Sequence, residues 1–138
     1  MSLPITRCGV LASGSGLAAV PLLAACGEES GEVDVPPPPA SGTALVATSD
    51  VPVQGCAVLA EEKIVVTQPA EGEFKAFSAA CTHQGCLVSS SKDGVIPCTC
   101  HGSEFSLADG AVLKGPAEAA LTEVPVEVRD GVVTATER

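Results

Sequence analysis

From Thr43 onward, short apolar runs alternate with turn-forming residues. Each run is four to seven residues long, which is typical of a β-strand and short for an amphipathic helix. We predict strands over the following segments: Thr43–Thr48, Ala57–Ala60, Lys63–Gln68, Glu73–Ser78, Gly94–Pro97, Glu123–Arg129 and Val132–Thr136. No stretch keeps a helical period, so the pattern predicts an all-β, antiparallel domain with long loops between Ser78 and Pro116.

Two Asp-Gly pairs refine this prediction. Asp130-Gly131 stands between two valine-rich runs and indicates a two-residue hairpin turn, and Asp93-Gly94 is a second such signal. Val124, Val126 and Val128 alternate with charged residues, which predicts a strand with one buried face.

The amino terminus has the features of an export signal. Arg7 is the only charged residue before a 16-residue apolar run, Val10 to Ala25, which contains a proline and is short for a membrane span. Leu23-Ala24-Ala25-Cys26-Gly27 resembles a bacterial lipobox, so residues 1–25 are predicted to be a signal peptide and Cys26 to carry a lipid. We therefore expect the protein at the outer face of the cytoplasmic membrane. An ordinary signal peptide with an unmodified cysteine is the alternative. The twin-arginine route, which exports folded proteins, expects a pair of arginines, and only Arg7 is present here. Ordinary secretion of the unfolded chain is therefore the alternative export route.

Residues 26–42 are acidic and then proline-rich, with four consecutive prolines, Pro36 to Pro39. Such a segment cannot bury enough apolar surface to fold, and polyproline stays extended. We predict a disordered tether over residues 26–42 and a folded domain over residues 43–138.

The charge of the chain excludes one class of partner. It has 17 acidic and 7 basic residues, a formal net charge of −10. An acidic surface repels phosphate, so we expect no nucleic acid as a partner.

Both histidines lie within two residues of a cysteine, in two loops. The first loop is Cys81-Thr82-His83-Gln84-Gly85-Cys86, and the second is Cys98-Thr99-Cys100-His101-Gly102-Ser103. Two thiolates and two imidazoles can bind a tetrahedral zinc ion or an iron–sulfur cluster. A zinc site would leave two cysteines for another role, and a set of disulfides with two unrelated histidines is a further alternative. Cys56 stands apart from both loops and is predicted to be a buried strand residue.

The pattern Cys-Thr-His-x-Gly-Cys followed by Cys-x-Cys-His-Gly-Ser resembles the Rieske iron–sulfur proteins, in particular the disulfide-containing respiratory and photosynthetic kind. Gly115-Pro116-Ala117 is similar to the proline loop that covers the cluster in that family. The resemblance implies a small antiparallel sandwich or barrel-like domain with a cluster-binding loop subdomain.

The resemblance implies one 2Fe–2S cluster per chain. By their positions in the motif, Cys81 and Cys98 match the thiolate ligands of one iron, and His83 and His101 match the imidazole ligands of the other. Neutral imidazoles in place of thiolates raise the potential above that of an all-cysteine cluster.

The remaining motif residues match supporting roles in the family. Cys86 and Cys100 match its disulfide, which would stabilise the fold by about 3 kcal/mol on a chain-entropy estimate. Ser103 matches a serine that donates a hydrogen bond to a bridging sulfide. Phe105 stands where high-potential members have tyrosine, so we expect a lower potential in this chain.

The implied function is one-electron transfer, with no catalytic site in the chain itself. We expect a lipid-anchored carrier that serves a redox partner protein. The alternative is the Rieske subunit of a membrane oxidoreductase, such as a quinol–cytochrome c reductase or an arsenite oxidase. A non-redox zinc module is a third hypothesis.

Overall fold

A computed structural model describes residues 36–137 of the chain. The predicted signal peptide, the lipidation site Cys26 and the tether up to residue 35 lie outside the described residues. The strands in the described range are β1 (Ala44–Ala47), β2 (Gly55–Leu59), β3 (Ile64–Ala70), β4 (Glu73–Ser78), β5 (Val95–Pro97), β6 (Glu104–Ser106), β7 (Val112–Lys114), β8 (Val126–Arg129) and β9 (Val132–Ala135). One short 3-10 helix, Thr48–Asp50, follows β1.

The strands form three antiparallel sheets, each with three strands, in the orders β1-β9-β8, β2-β3-β4 and β5-β6-β7. This arrangement confirms the all-β, antiparallel prediction. No helix among residues 36–137 is long and apolar enough to cross a bilayer.

The central strand β3 separates two hydrophobic cores. Its successive residues Ile64, Val65 and Val66 are all buried, because successive side chains of a strand point to opposite faces and both faces are covered. Val65 packs with its cross-strand neighbour Phe77 in a first core, whereas Val66 packs with Ala76 in a second. The first core includes cysteines of both predicted ligand loops, so one face of the middle sheet supports the candidate site.

Hydrogen bonds attach the sheet β5-β6-β7 and the segment that leads to it to the sheet β2-β3-β4. The Thr67 hydroxyl on β3 donates a buried hydrogen bond of 2.7 Å to the Leu107 carbonyl, just beyond β6. Cys56 on β2 exchanges two backbone hydrogen bonds with Ser91, in the segment that leads to β5. Because these bonds join segments far apart in sequence, the loops between Ser78 and Pro116 are fixed on the sheet.

The two predicted Asp-Gly turns had different outcomes. Asp130 and Gly131 have φ values of 50° and 76° and connect the paired strands β8 and β9, so the hairpin is confirmed. Gly94 also has a positive φ, of 78°, but the Asp93-Gly94 turn does not join two paired strands. Strand β5 pairs with β6, and across the turn the Ser89 N–H donates to the Pro97 carbonyl at 2.8 Å without a strand on the Ser89 side.

The carboxy-terminal alternation is correct only in part. Val124 is buried and Val126 is half-buried against the second core, but Val128 is 49% exposed. Regular strand pairing begins at Val126 rather than at Glu123, and β8 is the edge strand of its sheet. The far end of an edge strand is covered by neighbours on one side only, which accounts for the exposure of Val128.

Candidate metal centre

Both ligand loops are closed by the same backbone hydrogen bond. The first loop follows β4, and the Cys81 N–H donates to the Cys86 carbonyl at 2.7 Å. The second follows β5, and the Cys98 N–H donates to the Ser103 carbonyl at 2.8 Å. In each case the first cysteine is joined to the residue five positions later, so the two motifs fold into equivalent turns.

The glycine in each motif has a backbone conformation that explains its presence. Gly85 and Gly102 have φ values of 76° and 82°, in the left-handed region of backbone conformation that residues with a Cβ atom rarely adopt. Their N–H groups donate to the carbonyls of Cys81 and Cys98 at 2.7 and 3.0 Å, respectively. The glycine therefore lets the chain turn back toward the cysteine that begins the loop.

The two predicted thiolate ligands are free cysteines in the first core. Cys81 and Cys98 are each 1% exposed. Burial raises the pKa of the Cys98 thiol, the neighbouring Cys81 sulfur adds to the rise, and the backbone N–H groups of Cys100 and His101 oppose it. Those N–H groups are hydrogen-bond donors that favour a thiolate, the form in which cysteine binds a metal.

The two predicted imidazole ligands face each other at the surface. The Nδ1 atoms of His83 and His101 are 3.3 Å apart, and the rings are nearly perpendicular, at 85°. Metal–nitrogen bonds of about 2.0–2.1 Å in a tetrahedral site place two ligand atoms about 3.4 Å apart. The pair therefore fits two nitrogen ligands of one metal ion. His83 is half-buried and His101 is exposed.

The four donors form two pairs of different chemistry, one of buried sulfurs and one of surface nitrogens. Among residues 36–137, no three His, Cys, Asp or Glu side chains form a group that could hold a single metal ion. Two sulfurs and two nitrogens arranged as pairs provide two ligands for each iron of a diiron cluster. The residues present therefore fit a cluster of the Rieske type.

A disulfide joins the two loops. Cys86 and Cys100 are bonded, with their Cα atoms 6.5 Å apart and 14 positions apart in sequence. This observation confirms the predicted pairing. The bond links the last residue of the first turn to the residue before His101, and so restrains both turns relative to each other.

The predicted proline loop lies against both turns. Its Ala117 N–H donates to the hydroxyl oxygen of the fully buried Ser103 at 3.0 Å. From the first turn, the Thr82 hydroxyl donates to the Ala119 carbonyl at 2.6 Å. Ser103 thus accepts from the proline loop, and its own hydroxyl proton is available for another acceptor. That geometry fits the expected donation to a cluster sulfide.

The contact of Thr82 was not predicted from the sequence. Thr82 and Thr99 both follow the first cysteine of their motifs, yet Thr82 binds the proline loop and Thr99 is exposed. Nothing in the sequence distinguishes the two threonines. The difference depends on which turn the proline loop approaches.

Two further residues of the first core, Phe105 and Cys56, lie where the sequence predicts. Phe105 on β6 is fully buried in the core that contains Cys81 and Cys98, and it has no hydroxyl to offer a sulfur. Cys56 on β2 is 1% exposed, and its thiol lies 3.5 Å from the Ser89 carbonyl oxygen. Its burial and its place on β2 confirm the predicted role of Cys56 as a buried strand residue, and the burial raises the pKa of the thiol.

Comparisons with known proteins agree with this geometry. The family described as Rieske [2Fe-2S] domain matches residues 42–125. A protein of Haloferax mediterranei with the provisional name of Rieske subunit of a respiratory nitrate reductase is 43% identical over 65 residues, which cover 46% of this chain and 30% of that protein. The cytochrome b6-f complex iron–sulfur subunit of Chlorobaculum tepidum is 35% identical over 74 residues, covering 53% of this chain and 40% of that protein. The chain thus matches well under half the length of these relatives.

Solved structures share the fold. The plasma membrane Rieske protein PetC3 of Synechocystis PCC 6803 is 31% identical, with a TM-score of 0.51, and the match covers 59% of this chain and 84% of that one. A ferredoxin of Sphingomonas yanoikuyae B1 has a TM-score of 0.59 at 24% identity, and the match covers 70% of this chain and 99% of that one. The second likeness concerns the fold alone.

Proposed function

The chain belongs to the Rieske [2Fe-2S] domain family, and we propose that it carries single electrons at the outer face of the cytoplasmic membrane, anchored through a lipid on Cys26. The observation that carries the electron-transfer proposal is the pair of facing imidazole nitrogens beside two buried thiols. The export signal and lipobox in the sequence support the location. The similar Synechocystis protein is described as a plasma membrane protein, which is consistent with this location.

The four donors have distinct roles in this proposal. Cys81 and Cys98 would hold one iron, and their burial keeps water from the sulfurs. His83 and His101 would hold the other iron through the facing Nδ1 atoms, which would leave the remaining proton of each ring on Nε2. The bound cluster supplies a one-electron couple with a potential above that of an all-cysteine cluster. Because the imidazoles are the accessible part of the donor set, their outer edges are where a partner comes closest.

Electron paramagnetic resonance of the dithionite-reduced protein tests the ligand assignment. We expect a spectrum of mixed histidine and cysteine ligation, together with two irons and two acid-labile sulfides per chain. His83→Ala and His101→Ala should each remove that spectrum, and Cys56→Ala, which changes a buried free cysteine outside the motif, should keep it. A colourless zinc protein, or a spectrum that survives both histidine substitutions, would contradict the proposal.

The membrane anchor requires a separate test. Mass spectrometry of the mature amino terminus should find a lipid-modified Cys26, and Cys26→Ala should release the protein from membranes without altering its spectrum. An unmodified terminus after export would contradict the anchor and leave the electron-transfer proposal intact.

The names of the relatives favour a second candidate, in which the chain is a Rieske subunit of a membrane oxidoreductase. One relative is named as part of a nitrate reductase and another as part of a b6-f complex. Native electrophoresis of solubilised membranes distinguishes the candidates. A free carrier migrates near the mass of the single chain, whereas a subunit migrates with a larger complex.

A further inference from the structure

A depression lies directly beside one of the two proposed imidazole ligands. It encloses about 430 Å³ and is lined by Thr82, His83, Pro116, Glu118 and Ala119. The last three of these residues belong to the proline loop and are exposed. A partner that approaches the His83 ring must therefore contact the proline loop as well.

Glu118 is the only Asp, Glu, Lys or Arg that lines this depression, and the neighbouring loop segments 81–87, 98–103 and 115–121 contain no other. The ion pairs found among residues 36–137 join Lys114 with Glu104 and Arg129 with Glu127, so neither uses Glu118. The carboxylate is thus an isolated negative charge next to a histidine, on a surface that is otherwise formed by small and neutral side chains.

Hydrogen bonds on both sides hold the backbone of Glu118 in place. The Ala117 N–H donates to Ser103 at 3.0 Å, and the Ala119 carbonyl accepts from Thr82 at 2.6 Å. One bond leads to each ligand turn. The backbone of Glu118 is therefore held between the two turns, which keeps its side chain at the depression that His83 also lines.

We propose that Glu118 makes this surface a docking site for a redox partner protein that presents a lysine or arginine beside its own electron-accepting edge. This inference rests on the proposed electron-transfer function. The net charge of −10 attracts such a partner from a distance, and Glu118 supplies the local charge that aligns it at His83. Small apolar contacts from Pro116 and Ala119 complete the surface.

Two inorganic oxidants of opposite charge test the proposal. Tris(1,10-phenanthroline)cobalt(III) carries three positive charges, and hexacyanoferrate(III) carries three negative charges. Each takes one electron from the dithionite-reduced protein, which reduces Co(III) to Co(II) or Fe(III) to Fe(II) without forming a bond. Stopped-flow kinetics at about 0.1 M salt give the ratio of the two second-order rate constants. A change in the potential of the protein acts on both reactions, so this ratio reports mainly on charge near the exit point.

The matched variants are Glu118→Gln and Glu71→Gln, which remove the same charge at different places. Glu71 is exposed in the β3–β4 turn, and the six residues of β4 separate it from the ligand loops by about 20 Å. That distance exceeds the Debye length of about 10 Å at 0.1 M salt. At such salt we expect Glu118→Gln to lower the cobalt-to-iron ratio by about three- to tenfold and Glu71→Gln to change it less than about twofold.

The outcomes separate this inference from the function on which it rests. A selective fall in the ratio for Glu118→Gln supports the cationic partner. An equal change in both variants would show that only the overall charge matters, and an unchanged ratio would show that neutral contacts decide docking; either result overturns the inference while electron transfer stands. If neither oxidant takes an electron from the wild-type protein, the proposed function itself fails.

Discussion

The two ligand turns have the same backbone and different anchors. Each is closed by a hydrogen bond from its first cysteine to the residue five positions later, and each has a left-handed glycine. The first turn is also bound to the proline loop through the Thr82 hydroxyl, whereas Thr99 in the second is exposed. The second turn is bound to the same loop through buried Ser103, whose hydroxyl oxygen accepts from the Ala117 N–H, and the disulfide at Cys100 joins it to the first turn. Similar motifs therefore specify similar turns, and the surrounding structure decides how each turn is held.

The two motifs differ by one residue in the position of their histidine. His83 stands two positions after its cysteine, and His101 stands three positions after its own. The additional residue in the second turn is Cys100, which forms the bond to Cys86. The insertion thus provides the covalent link, and the Nδ1 atoms still meet at 3.3 Å.

The largest expected effect comes from removing that link. The double variant Cys86→Ala and Cys100→Ala should lose about 3 kcal/mol of unfolding free energy, because the unfolded chain is no longer constrained by a closed loop. Guanidinium denaturation of the cluster-loaded protein measures the loss. Cys56→Ala, a buried cysteine outside the disulfide, is the control for thiol removal. A loss below about 1 kcal/mol would mean that the proline loop alone holds the turns together.

Substitution of the left-handed glycine in each ligand turn tests whether the two turns have equivalent backbones. Gly85→Ala and Gly102→Ala should each cost about 1–2 kcal/mol, since an alanine in the left-handed region is strained. At Gly102 no atom lies within 4 Å of an added Cβ, so the cost there is backbone strain alone. Gly115→Ala is the control, because an added Cβ would meet its nearest neighbour at 3.8 Å. Clearly unequal costs at the two turns would contradict their equivalence.

The difference in anchoring predicts a smaller, one-sided effect. Thr82→Val should cost about 1 kcal/mol through the lost hydrogen bond to Ala119, and Thr99→Val should cost nearly nothing. Thr82→Ser keeps the hydroxyl and should restore most of the stability. Denaturation midpoints and hydrogen exchange at the Leu121 amide, which donates to Gly110 behind the proline loop, measure the effect. Equal responses of the two threonines would show that the proline loop does not anchor the first turn.

Local sequence signals predicted much of the architecture. Apolar runs such as Ile64 to Val66 and the Asp130-Gly131 turn identified strands and a hairpin, because burial and backbone conformation leave direct marks on residue choice. Through a family resemblance, the double motif predicted the disulfide, which is present, and proposed the four donor residues. Each of these features depends mainly on residues close together in sequence, so a local sequence pattern is enough to predict it.

The third sheet could not be predicted in the same way. Strands β6 and β7 have three residues each and contain the charged or polar residues Glu104, Ser106 and Lys114. Their pairing depends on the turns that bring them together rather than on an apolar run. The exposure of Val128 and the contact of Thr82 likewise depend on tertiary neighbours, which residue patterns do not record.

The smallest expected effect concerns the strand that leaves the second turn. Phe105 on β6 is fully buried in the core that also contains Cys81 and Cys98, so a tyrosine at this position would bring a hydroxyl into that core. A hydrogen bond to a ligand sulfur stabilises the reduced state, and a preference of about 0.5–1 kcal/mol corresponds to a rise of roughly 20–45 mV for one electron. Phe105→Tyr should therefore raise the midpoint potential in a redox titration. Phe74→Tyr, at a half-buried position in the second core, should not. A potential that stays constant in Phe105→Tyr would show that this position does not tune the cluster and would remove the reason to expect a low potential from its phenylalanine.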